Sequence, residues 1–98
     1  GQWGSDGEGN LVGGGLVAQV AQAFANLGRA LAAHDLGPGA VVQLRTYVVD
    51  HDLAALGVIG ETVGRTWGAT PPPHTVLGVA SLAVPGLLVE VEALAVRR

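Results

Sequence analysis

The sequence contains no cysteine, which excludes disulfides, cysteine-ligated zinc and thiol nucleophiles. Methionine is missing as well, so residue 1 is not an initiator as it stands, and a processed or partial N-terminus is expected. There is no lysine. The basic residues are Arg29, Arg45, Arg65, Arg97 and Arg98, set against eight acids for a net charge of −3. Scattered arginines on an acidic chain lack the basic patch that supplies most nucleic-acid affinity, so a nucleic-acid partner is not expected. Long apolar runs are absent. Gln, Asn, Arg or Gly interrupts each one well before the roughly 18 residues that suggest a membrane span. No basic and then apolar leader opens the chain, and the expected location is the cytoplasm. Charge is sparse too, at 13% of residues against 49% hydrophobic, which is too apolar for a disordered chain.

Ninety-eight residues make a single domain, read here as 1–98. So small a core without covalent staples often gains stability by oligomerising. Sixteen glycines punctuate the chain, densest over residues 1–15. That tract has turn chemistry at Ser5-Asp6-Gly7 and Gly9-Asn10, with Leu11 and Val12 as a short edge strand. It lacks a G-x-G-x-x-G run behind a strand, so it reads as a loop rather than a phosphate cradle.

From Leu16 to His34, apolar residues at Val17, Val20, Phe24, Leu27 and Leu31 recur at helical spacing. Gln19, Gln22, Asn26 and Arg29 then fall on the solvent side, and Gly37-Pro38-Gly39 closes the element. Residues 40–50 are β-branched and aromatic, a strand whose Val42, Leu44, Thr46 and Val48 share one face. Gln43, Arg45 and Tyr47 share the other with Val41 and Val49, a half-polar face suited to water or to another subunit. Asp50-His51-Asp52 forms a turn in which an aspartate can cap the next helix. That helix spans 53–67, with Leu53, Leu56, Ile59 or Val63, and Trp67 as its apolar positions. Its Gly57, Gly60 and Gly64 each cost about 1 kcal/mol against alanine, which is easier to accept if something packs closely there. Two strands, Thr75–Leu82 and Leu87–Val96, complete the chain as an expected hairpin.

Few residues carry chemistry. Glu90 and Glu92 are spaced by two on a strand and point the same way, as a general acid and base could, or as a solvated face paired with Arg45. His34, His51 and His74 lie on separate elements without an i, i+4 pair, so no metal site and no cofactor is expected. His74 is singled out because Pro71, Pro72 and Pro73 would fix its position. Ser5 and Ser81 are the only serines and suggest no triad.

The segment Pro73-His74-Thr75-Val76, with Gly86-Leu87-Leu88-Val89-Glu90-Val91-Glu92-Ala93-Leu94-Ala95 after it, resembles the C-terminal signature of the YjgF/RidA (reactive intermediate deaminase) family. Val41–Asp50 resembles that family's central strand, and Gly1-Gln2 with the turn from Asp6 to Gly9 resembles the stretch at its S-G-Q motif. The resemblance implies an α+β, chorismate-mutase-like fold: a sheet packed by two helices, assembled as a homotrimer with clefts for a small metabolite at the subunit boundaries. Archetypal members hydrolyse enamines and imines. It further implies candidate roles for Glu90, at the family's cleft glutamate, and for His74, where deaminating members carry a carboxylate-clamping arginine. Imidazole has no fork, so that replacement is not conservative. The family's helix asparagine falls near Gly57, and its first strands and the serine before Gly1 are absent. Their absence would leave an open sheet edge, to be covered by another polypeptide or by more of a longer native chain. The resulting expectation is a trimeric metabolite-binding protein, partnered by a small carboxylate or imine, whose deaminase activity is lost. The alternative is an active enamine/imine deaminase in which Glu90 positions water and His74 contacts substrate.

Overall fold

The computed structural model describes residues 1–97. Two helices, α1 (Gly15–Ala32) and α2 (Leu53–Trp67), pack on one face of a four-stranded sheet. Its strands are β1 (Gln2–Trp3), β2 (Val41–Val49), β3 (His74–Val79) and β4 (Val89–Ala95), in the spatial order β1-β4-β2-β3.

The expected hairpin between the last two strands does not form. β2 lies between them, pairing in parallel with β3 and antiparallel with β4. The cause is the intervening helix: a strand that returns through a helical crossover comes back parallel to its predecessor, and β3 takes one flank of β2 through α2. The chain from Ala80 to Leu88 then has to pass to the other flank, which is why β3 stops at Val79 and β4 starts only at Val89. The edge strand expected at Leu11–Val12 is also displaced. Gln2 and Trp3 pair with Val91 and Glu90, while Leu11 makes only an isolated bridge to Ser5.

The core is a layer of aliphatic side chains between helices and sheet. Val20, Ala23, Phe24, Leu27 and Leu31 of α1 meet Leu44, Val48, Val89 and Val91. Each large side chain of this kind contributes about 1.5–3 kcal/mol by leaving water. Phe24 meets Trp67 edge to face at 6.4 Å, and the Trp67 indole N–H donates to the Pro38 carbonyl at 2.8 Å. Of the two aspartates that could cap α2, Asp52 does so, its Oδ1 accepting from the Ala55 amide at 2.8 Å.

Val20, Phe24, Leu27 and Leu31 of α1 are buried as their spacing predicted, but positions on both helices depart from the faces read in the sequence. Val17 is exposed, and Gln19, expected in solvent, is 3% exposed in the core. Its Nε2 donates to the Gly86 carbonyl and its Oε1 accepts from the Leu88 amide, so it fastens the long connection into β4. On α2 the buried residues are Ala55, Ile59, Thr62 and Val63, whereas Leu53 is 84% exposed and Leu56 also faces out. Leucine spacing alone misassigned this face because the true stripe includes an alanine and a threonine. Gly57, Gly60 and Gly64 face open space instead of a close neighbour. Val41 is buried although its face was read as polar, because the β2–β4 register shifts between Val41 and Gln43 and turns Val41 inward.

Candidate functional site

The sheet has two chemically different faces, and register decides which residue stands on which. Leu44 is level with His74 and Thr46 with Val76, so His74 belongs to the helix-covered face. Tyr47 is level with Glu90 and Arg45 with Glu92, so both glutamates stand on the bare face. Facing pairs share a side of the sheet.

On the bare face, the Tyr47 hydroxyl donates to Glu92 Oε1 at 2.7 Å, and Arg45 Nη1 donates to the same oxygen at 3.0 Å. The Tyr47 hydrogen bond, seconded by Arg45 against the opposing effect of desolvation, holds the Glu92 carboxyl below the usual range. Both charged side chains are 42% exposed, so solvent screens the pair and its contribution to stability is small. A shallow depression of about 240 Å³ lies beside them, lined by Gln43, Arg45, Glu92, Ala93 and Leu94. Glu90 is opposite Tyr47 and Trp3. Among the described residues no hydrogen bond engages its carboxylate, which instead lies so close to Gly1 that a Cβ there would collide with it.

On the other face, His74 opens β3 after the three prolines, and the Pro73 carbonyl accepts from the Leu44 amide at 2.8 Å. His74 Nε2 lies 2.8 Å from Thr46 Oγ1, one donating to the other according to tautomer. Thr46 is fully buried. Burial pushes the His74 imidazolium below its ordinary range, so the neutral ring is favoured. A neutral ring with one nitrogen already engaged presents a single point of contact, not a fork.

The remaining candidates scatter. His34 comes after α1, with its carbonyl accepting from Arg97 Nη2 at 2.7 Å. His51 sits in the β2–α2 turn beside Gly78. Among the described residues no three His, Cys, Asp or Glu side chains gather into a metal-binding set. Gly57 is exposed on α2 and offers no side chain. The partners that sequence reasoning missed are Thr46 for His74 and Tyr47 for Glu92. Thr46 did carry a signal: a hydroxyl on an otherwise aliphatic inward face needs a partner.

The family model described as Endoribonuclease L-PSP matches residues 1–97. A solved Rid-family protein of unknown function from Yersinia pestis, YyfB, is 43% identical, with 97% of this chain covering 73% of that one at a TM-score of 0.89. The chain belongs to the YjgF/Rid family. Rv2704 of the same family, from Mycobacterium tuberculosis, is 31% identical, with 95% of this chain covering 71% of that one at a TM-score of 0.78. RidA from an Antarctic Psychrobacter is 28% identical, with 98% covering 76% at a TM-score of 0.84. No curated protein matches. Two helices on a mixed four-stranded sheet are therefore the YjgF/Rid fold in this chain, and no helix among its described residues is long and apolar enough to cross a membrane.

Proposed function

We propose that this Rid-family protein is a homotrimer that binds a small metabolite in clefts between subunits, with the deaminase activity of the family lost or very weak. The observation that supports this reading is the state of His74. It stands where the resemblance requires an arginine, yet it is a half-buried ring tied to Thr46 and biased towards neutrality. An arginine there would give a carboxylate two charge-assisted hydrogen bonds, of about 1.5–3 kcal/mol each. His74 supplies neither the charge nor the second bond. Within one chain, His74 and Glu90 also occupy opposite faces of the sheet, so a cleft that uses both draws on neighbouring subunits.

The test is ammonia release from an imine of the 2-aminoacrylate type, measured beside an arginine-bearing relative. The expected rate is at least roughly tenfold lower for each lost bond. A comparable rate, abolished by Glu90→Gln, would overturn this reading in favour of an active enamine/imine deaminase in which Glu90 positions water.

A further inference from the structure

Glu90 stands in a row that crosses three strands. Its neighbour on β1 is Trp3 and its neighbour on β2 is Tyr47, and facing residues of antiparallel strands share a side of the sheet. The row places a carboxylate between two aromatic side chains on the bare face, with Cβ atoms about 4.5–5.5 Å apart from one member to the next. All three residues are half-buried, so a ligand can reach them. The Tyr47 hydroxyl is taken by Glu92, so what Tyr47 offers beside Glu90 is its ring. The two glutamates differ in what balances them. Glu92 has Arg45 and Tyr47, whereas Glu90 has neither a hydrogen bond nor an ion pair among the described residues. The sequence contains no lysine, and Arg45 is the only arginine on the four strands. Elsewhere Arg65 pairs with Glu61 on α2, Arg29 donates to Asn26 on α1, and Arg97 donates to the His34 carbonyl. Further copies of the chain bring the same strands, and with them no unspent strand arginine.

We propose that the row Trp3–Glu90–Tyr47 binds the organic ammonium group of a ligand, so that the cleft to which Glu90 belongs takes amines in preference to carboxylates. For the existence of a cleft between subunits the inference rests on the reading above, but the row itself lies within one chain. A carboxylate between aromatic rings supplies what an alkylated ammonium needs. It sets a full negative charge against the nitrogen, and the negative faces of the rings attract the same cation. A carboxylate ligand meets the reverse. It would stand against Glu90 with no guanidinium to offset the repulsion, since Arg45 is already engaged by Glu92. His74, tied to Thr46, brings it one contact and no fork.

The test measures calorimetric binding of three probes to the 98-residue chain. Choline carries the ammonium, dimethylbutanol has the same shape with carbon in place of the charged nitrogen, and butyrate carries the opposite charge. Choline is expected to bind roughly tenfold or more tightly than either of the others. Glu90→Gln keeps the shape and removes the charge, so it should weaken choline by roughly fivefold or more and leave dimethylbutanol within about twofold. Tyr47→Leu and Trp3→Leu should each weaken choline by about two- to fivefold, the size of an exposed cation–π contact, whereas Tyr47→Phe and Trp3→Phe keep a ring and should retain binding. Equal binding of choline and dimethylbutanol, tighter binding of butyrate, no binding of choline, or choline binding indifferent to Glu90→Gln would each overturn the proposal. Light scattering on the same samples separates the ligand class from the assembly. A trimer that prefers butyrate overturns the ligand class and leaves the assembly standing. A monomer that prefers choline through Glu90 overturns the assembly and upholds the row.

Discussion

His74 and Glu90 stand on opposite faces of one sheet, His74 level with Leu44 beneath the helices and Glu90 level with Tyr47 on the bare side. A small ligand cannot touch both within one chain, because β2 and its inward side chains lie between. If the proposed trimer buries the bare face, the Arg45–Glu92 ion pair on it gives a handle on that assembly.

Light scattering is expected to give a trimer mass at micromolar concentration. Arg45→Glu places two carboxylates where a 3.0 Å ion pair stood, and it should shift the population towards monomer. The exchanged pair Arg45→Glu with Glu92→Arg should restore the trimer. A wild-type monomer would sink the assembly, and unchanged mass in Arg45→Glu would remove this face from it.

The Thr46–His74 hydrogen bond makes a different kind of prediction, about stability within one chain. Thr46→Val replaces the hydroxyl by a methyl of similar shape and should cost about 1 kcal/mol, the typical net worth of a hydrogen bond. His74→Phe leaves the fully buried Thr46 hydroxyl without its partner and should cost about 1–3 kcal/mol. The double variant should be less destabilised than the sum of the two. Urea unfolding of all four proteins measures the coupling, and strict additivity would show that the contact carries no stability.

Most elements were legible in the sequence because hydrophobic periodicity is a local property. The long helix, the central strand and an aspartate cap in the turn before α2 could each be read from a short stretch of neighbouring residues. The order of the strands could not. Whether β3 pairs with β4 or with β2 depends on where α2 delivers the chain, which no local pattern records. The same limit explains Gln19. A glutamine on an amphipathic helix belongs in water unless a distant loop needs its amide, and here Gly86 and Leu88 do. Of the candidate site, the alternation placed Glu90 beside Glu92 and opposite Val89 and Val91. It was silent on whether His74 faced the same way, because that depends on the register between β2 and β3.

Gln19 accordingly has a structural role that can be measured. Its amide satisfies one carbonyl and one amide of the β3–β4 connection from inside the core, 67 and 69 residues away in sequence. Gln19→Leu keeps the bulk but takes this partner from the Gly86 carbonyl and the Leu88 amide, which should cost about 1–3 kcal/mol because Gly86 is exposed and water can take up its carbonyl. Amide exchange at Leu88 should quicken more than at Val48, which lies in the central strand. Equal acceleration at both would mean that the fold as a whole is weakened and that Gln19 does not specifically hold this connection.

The pH dependence of stability has its origin in the environment of His74. Burial places its folded pKa below the ordinary value of 6.5, and no neighbouring acid counters the shift. As the pH falls below about 6.5, the unfolded chain therefore takes up this proton before the folded one does, and protons favour unfolding. The contribution is complete above that pH, declines as the pH falls towards the folded pKa, and is gone below it. Its slope cannot exceed about 1.4 kcal/mol per pH unit, the value for one full proton. His74→Gln keeps a group able to bond Thr46 but does not titrate, so its stability curve should lack this fall while matching wild type near pH 8. Urea midpoints from pH 8 down to pH 5 give the comparison. Parallel curves for the two proteins would show that His74 does not carry the dependence, and a wild-type curve that rises towards acid relative to His74→Gln would mean that the ring is stabilised in its charged form.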